Sequence, residues 1–151
     1  MHALFGQAAR LSFNLRVRDL SRQAETLGTE IPVVRESEFL TEKMTLLNVP
    51  TDERFRPMLR VYRFLAFLEP PGTVRLRFYR IGVTPDVLLS EQTLALAGSG
   101  IGYAQLASFP PEVLNETAVR IDLELLTPMQ FWAFVSVTNN ATQHVTIITP
   151  Q

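Results

Sequence analysis

The sequence predicts an all-β fold: an antiparallel two-sheet β-sandwich, immunoglobulin-like or jelly-roll, with about 8–10 strands. Three observations predict it. Apolar residues alternate with polar ones at period two along most of the chain. Proline, glycine and asparagine cluster between these runs at the spacing expected of short strands. No helix-length amphipathic segment follows any strand, so the βαβ units of a parallel sheet are absent.

The elements follow in chain order. Leu11 to Val17 alternates as a half-buried strand does. Ile31-Pro32-Val33-Val34 is short, and its proline places it at an edge or a strand start. Phe39 to Leu47 and Met58 to Phe64 are further strands, and Val74 to Tyr79 points Val74, Leu76 and Phe78 inward. Val87 to Leu96 is a strand of blurred phase. Thr117 to Leu125 is the longest alternation, with Val119, Ile121, Leu123 and Leu125 on one side and Arg120, Asp122 and Glu124 on the other. A wet outer face of this kind belongs to antiparallel sheets. Phe131 to Val137 is apolar on both sides, as in a central strand covered on both faces, and puts Trp132 in the core. His144 to Thr149 closes the chain, with Val145 and Ile147 expected inward. Only Pro110 to Leu114 reads as helical, for a turn or so, since proline suits a first turn.

A chain of 151 residues is expected to form one domain, residues 1–151, with 1–49 as an added N-terminal strand region. At that size roughly 70% of the unfolded surface can be buried, enough for stability without staples. Cysteine is absent, which removes disulfides, thiolate zinc sites and cysteine nucleophiles together. A formal charge of −1 gives no electrostatic case for nucleic acid. No apolar run reaches the length of a membrane span, and Met1 to Gly6 lacks the pattern of a signal peptide. Lys43 is the only lysine, and arginine supplies the other basic residues.

Several chemistries can be tested against the residues. A triad of Ser136, His144 and Asp122 can be drawn, but no Gly-x-Ser-x-Gly surrounds any serine. Asp52-Glu53, Asp122 and Glu124 are the carboxylates a glycosidase would need, yet Asp122 and Glu124 are expected to pair with arginines across strands. Gly98-Ser99-Gly100-Ile101-Gly102 lacks the Lys-Ser/Thr of a phosphate loop. No catalytic residue, metal site or cofactor is therefore expected. Asn115-Glu116-Thr117 and Asn140-Ala141-Thr142 match the glycosylation acceptor pattern and agree with surface loops.

One binding face suggests itself. Arg54, Arg56, Arg60, Arg63, Arg75, Arg77 and Arg80, interleaved with Phe55, Tyr62 and Tyr79, could receive phosphate, sulfated glycan or an acidic partner. Against that, arginine at alternate strand positions is also what a solvated face looks like. A carbohydrate-binding reading would instead use Tyr62, Tyr79 or Tyr103 as sugar platforms, and requires them solvent-facing and coplanar. A small hydrolase is the third reading.

From about residue 50 onward the chain resembles a loosely defined β-sandwich accessory module of bacterial secreted and cell-surface proteins. Arg56-Pro57-Met58-Leu59-Arg60-Val61-Tyr62 is similar to its "RxxLRVY/N" strand, and Val74 to Tyr79 to its "VTVTLYD" strand, with Arg80 where an acidic residue is usual. Leu88 to Leu94 is similar to "LGSRTVTL", followed by Tyr103-Ala104-Gln105-Leu106, and Phe131 to Thr142 to "VFAYASVVDNxT". The resemblance implies a non-catalytic structural or interaction role, an extracellular or cell-surface location, and a protein or glycan partner. It supplies no catalytic residues. A monomer or weak homodimer is the expected state.

Overall fold

The computed structural model describes residues 15–17, 29–64, 71–97 and 102–151. Two four-stranded antiparallel sheets pack face to face. The strands are β3 (Lys43–Pro50), β4 (Phe55–Phe64), β5 (Gly72–Arg80), β6 (Val87–Leu96), β7 (Tyr103–Leu106), β8 (Ala118–Leu125), β9 (Gln130–Asn139) and β10 (Val145–Ile148). They follow β1 (Leu15–Val17) and β2 (Thr29–Ile31), which among the described residues pair only with each other, and one helical turn, α1 (Pro111–Leu114), precedes β8. One sheet runs β10-β9-β4-β7 and the other β3-β8-β5-β6. We call them the aromatic sheet and the ionic sheet, after their outer faces.

Among the described residues, the only sequence neighbours that pair are β1–β2, β5–β6 and β9–β10. Every other connection crosses from one sheet to the other. This departs from the immunoglobulin order, in which the first two strands are partners. The eight strands form a two-sheet antiparallel sandwich in which most connections pass between the sheets.

Period two decides which side chains fill the gap between the sheets. From the ionic sheet come Val74, Leu76 and Phe78 of β5 and Val119, Ile121 and Leu123 of β8, all fully buried. From the aromatic sheet come Leu59 and Val61 of β4 and Phe131, Ala133 and Val135 of β9. Strand β3 breaks the rule: Leu46 faces Ile121 and Val49 faces Val119, so two residues oppose the single Arg120. That bulge lets Leu46 and Val49 both reach the core, and Asn48 absorbs it with a φ of 54°. Asparagine is among the few side chains that adopt this region cheaply. A second bulge, at Leu89, separates the Phe78–Ser90 and Tyr79–Leu88 pairs.

The ends are closed locally. Before α1, Phe109 is buried and meets the Phe78 ring at 5.3 Å, while Val113 of α1 is fully buried beside the core. In the β9–β10 turn, Asn139 Oδ1 accepts hydrogen bonds from the Ala141 and Thr142 amides at 2.9 and 3.0 Å. The β5–β6 turn uses Gly82 at a φ of 76°, where a Cβ would be strained.

Several expected elements move. The strand expected at Ile31 to Val34 is Thr29–Ile31, ending where Pro32 removes a donor. Only residues 15–17 of the expected Leu11 to Val17 strand fall among the described residues. The expected Phe39 strand begins only at Lys43, although Leu40 makes an isolated bridge to Phe131. The phase of β10 is reversed. Val145 and Ile147 lie opposite Thr138 and Ser136 on the outer face, and Thr146 and Ile148 point inward. On a short edge strand over an open seam, neither face is sealed, so apolar spacing does not identify the inside.

Candidate functional site

The two outer faces differ in chemistry because they are built from the other half of each alternation. On the ionic sheet these positions are Lys43 and Thr45 of β3, Arg120, Asp122 and Glu124 of β8, Arg75, Arg77 and Tyr79 of β5, and Glu91 and Thr93 of β6. Register aligns Thr45, Asp122, Arg77 and Glu91 in one cross-strand row. Arg77 donates to Glu91 at 2.7 Å and to Glu124 at 3.1 Å, and Arg75 lies 3.4 Å from Glu124. Asp122 is buried although it faces outward: it receives Lys43 Nζ at 2.9 Å and the Thr45 hydroxyl at 3.0 Å. Arg120 Nε lies 3.3 Å from Asp122 as an ion pair without hydrogen-bond alignment, while its Nη2 donates to Asp86 at 2.8 Å. The Arg120 guanidinium also covers the Tyr79 ring at 4.3 Å. The hydrogen bond from Arg77 holds the Glu91 carboxyl below its usual range and makes Arg77 more basic. This face is a closed network in which each acid meets a cation.

The outer face of the aromatic sheet is different. Here β4 presents Arg56, Met58, Arg60, Tyr62 and Phe64, because Pro57, Leu59, Val61 and Arg63 point inward. Beside them stand Trp132 and Phe134 of β9, and Tyr103 and Gln105 of β7. The rings form a stacked row. Tyr62 lies 6.2 Å from Tyr103 and 5.9 Å from Phe134, the latter within 11° of parallel. Trp132 adds a tilted contact with Phe134 at 5.6 Å, and Phe39 meets Phe64 at 5.5 Å. Arg60 lies over Phe134 at 5.9 Å and donates weakly to Met58 Sδ at 3.6 Å. Among the described residues, neither Arg56 nor Arg60 has a carboxylate partner. Trp132 and Phe134 are buried, whereas Tyr103 is 56% exposed at the edge.

The arginines that the sequence groups together are therefore dispersed. Strands β4 and β5 belong to opposite sheets, so Arg56, Arg60 and Tyr62 share one face while Arg75, Arg77 and Tyr79 share the other. Arg63 points inward and is 5% exposed, with its amide donating to the Gly102 carbonyl at 2.8 Å. Arg54 is held in the β3–β4 turn by Asp52, whose carboxyl this hydrogen bond keeps below its usual range. Arg80 pairs with Glu116 at 2.6 Å. Ser136 and Asp122 lie on opposite sheets and His144 in the β9–β10 turn, so the paper triad does not assemble. Glu124 pairs across strands with Arg75 and Arg77 as expected, whereas the cross-strand cation of Asp122 is Lys43 and its arginine contact, Arg120, comes from its own strand.

The same separation bears on a sugar platform. Tyr62 and Tyr103 are inclined by 28° and face each other across the strands, and Tyr79 is on the far sheet beneath Arg120. Ring faces that stack on one another are not free for a sugar, except the outer side of Tyr103.

Two hollows open at the sandwich rim. One, of about 420 Å³, lies at the seam between β3 and β10 and is lined by Asn48, Phe55, Asn139, His144 and Thr146 among others. The other, of about 340 Å³, lies between Arg56, Ser108, Phe109, Leu114 and Asn140. Neither lining contains a carboxylate. Among the described residues, no group of three histidine or acidic side chains stands where it could hold a metal ion. No helix among them is long and apolar enough to cross a membrane.

The burial of Trp132 and Phe134 was readable, because β9 is apolar on both sides, but their place on the outer side of the sheet was not. Nor was the Tyr103–Tyr62–Phe134 row, since it needs the pairing of β4 with both β7 and β9. No protein-family model matches the chain, and neither a curated protein nor a solved structure matches it.

Proposed function

We propose that this domain is a non-catalytic structural or interaction module that engages a partner through the outer face of its aromatic sheet. The observation that carries this reading is the contrast between the two faces. The ionic sheet satisfies its charges internally, while the aromatic sheet sets Arg56 and Arg60, which have no carboxylate partner among the described residues, beside stacked rings. Tyrosine, tryptophan, methionine and arginine are the residues enriched at protein interfaces, and desolvated aromatic–arginine clusters supply most hot spots. A partner with an acidic, ring-bearing or apolar surface segment complements it. The proposal takes the module to act at the bacterial cell surface or outside the cell, and what supports this is the resemblance of residues from about 50 onward to accessory modules.

The test is a nuclear magnetic resonance titration of the chain with an acidic, aromatic-containing peptide and, separately, with soluble oligosaccharides. Saturable amide shifts confined to β4, β7 and β9 with the peptide, lost in Arg60→Glu, are expected. Oligosaccharide shifts centred on Tyr103 would favour a carbohydrate-binding module instead. If neither probe moves this face, the reading fails.

A further inference from the structure

The two sheets present four edge strands, and three of them are blunted. Strand β3 carries the Leu47–Asn48 bulge, Lys43 and Pro50. Strand β10 is four residues long and runs into Pro150, and β7 is likewise four residues long. These are the usual devices by which proteins prevent strand addition. Strand β6 is the exception. It is ten residues long, contains neither proline nor lysine, and past the bulge at Leu89 runs regularly from Ser90 to Leu96. Among the described residues its outer edge has no partner. Its one charge, Glu91, is already neutralised from behind by Arg77 and Arg75.

Gln92 supplies a second observation at the same place. It points toward the interior side of β6, opposite Leu76, and its Nε2 is buried without a hydrogen-bond partner. Leaving such an amide unpaired is costly, and native structures rarely do so without a reason.

We infer that β6 is a homodimerisation edge, pairing antiparallel with β6 of a second copy about a two-fold axis at Gln92. Antiparallel pairing with its own copy places a residue at the axis opposite itself, with Cβ atoms about 5 Å apart. Turned from its buried position toward the axis, each Gln92 amide can donate to the other's side-chain carbonyl, which would satisfy the orphaned Nε2. On the outer face this register puts Glu91 opposite Thr93 of the second copy. The cross-strand rows become continuous through the axis, from Arg77 and Glu91 on to the second copy's Thr93 and Arg75. A register centred on Glu91 would instead oppose two carboxylates, which is destabilising. Centring on Thr93 would set each Gln92 against Leu94 and leave its amide unpaired. The ionic sheets of the two copies join into one eight-stranded sheet, leaving the aromatic faces unused. The inference is therefore independent of the proposed partner face. Edge pairing over so short a stretch belongs to the weak class of interface.

The test is sedimentation equilibrium of the whole chain, with protein up to about 1 mM, a range that reaches weak dimers. Thr93→Glu and Thr93→Lys are compared with the unsubstituted chain. Both substitutions are at an exposed position, and the glutamate would sit beside Arg75 of its own copy, so the fold is retained. The expected result is a monomer–dimer equilibrium whose Kd rises roughly ten-fold in Thr93→Glu, from two new contacts with Glu91. In Thr93→Lys the Kd is unchanged or lower. A chain that stays monomeric throughout overturns the inference. So does a dimer indifferent to Thr93→Glu, or one weakened equally by both substitutions.

Discussion

Asp122 and Glu124 are two residues apart on β8, point to the same outer face and both pair with cations, yet removing them is expected to have unequal effects. The Asp122 side chain is 8% exposed and takes Lys43, Thr45 and the flank of Arg120. Glu124 is 43% exposed and serves Arg75 and Arg77, both of which also hold Glu91. Asp122→Ala strips charged acceptors from Thr45 and Lys43 in a poorly solvated spot, and hydrogen bonds to charged groups are worth about 1.5–3 kcal/mol. A loss of about 2–3 kcal/mol follows. Glu124→Ala removes an exposed, shared partner, and such pairs are worth less than about 1 kcal/mol. Both substitutions place alanine in the same strand, so its poor strand propensity cancels in the comparison. Urea unfolding reads the difference directly: with a slope near 2 kcal/mol/M, the midpoint falls by about 1–1.5 M for Asp122→Ala and by under about 0.5 M for Glu124→Ala. Repeating the titration in about 1 M salt, where screening acts over roughly 3 Å, should shrink the Glu124 effect and leave most of the Asp122 effect. Equal losses at low salt would refute the claim that burial, rather than the number of ion pairs, sets the value of this network.

Two further outcomes follow from the same structure. Phe109→Ala opens the core beneath Phe78 and should cost about 3–5 kcal/mol by denaturant unfolding; a loss under about 1 kcal/mol would show that the segment before α1 is not part of the core. Glu91 has its carboxyl held below its ordinary value near 4.5, first by the Arg77 hydrogen bond. Its contribution is therefore present above that value and is lost as pH falls through the lower folded value. Melting temperatures of Glu91→Gln and the unsubstituted chain should accordingly differ at neutral pH and converge in acid below about pH 4.5. Curves that stay parallel down to about pH 2 would contradict it.

Much of this architecture was legible because period two is a local property. In β8, the alternation of Val119, Ile121 and Leu123 with Arg120, Asp122 and Glu124 already separates core from outer face. Such alternation excludes a helix and requires a sheet with two unlike sides. The boundaries of β6 were readable from the turn residues around it, the double-sided burial of β9 from its unbroken apolar run and the single turn of α1 from its prolines. The phase of β10 was not, because at an edge the inside is defined by what lies opposite, and for Ile148 that is the seam beside β3.

What the sequence determined by itself was the class of fold and the inward residues of β5 and β8. Which strands became neighbours was decided only by the tertiary structure. Arg60 and Arg75 look like members of one basic run, separated by little chain, but the β4–β5 connection crosses between sheets and sends them to opposite faces. There Arg75 meets Glu124 and Glu91, which come from distant parts of the chain, whereas Arg60 meets Phe134. Alternation fixes the side of a strand on which a residue stands. The identity of its cross-strand neighbour depends on long-range pairing and register, which no local pattern encodes.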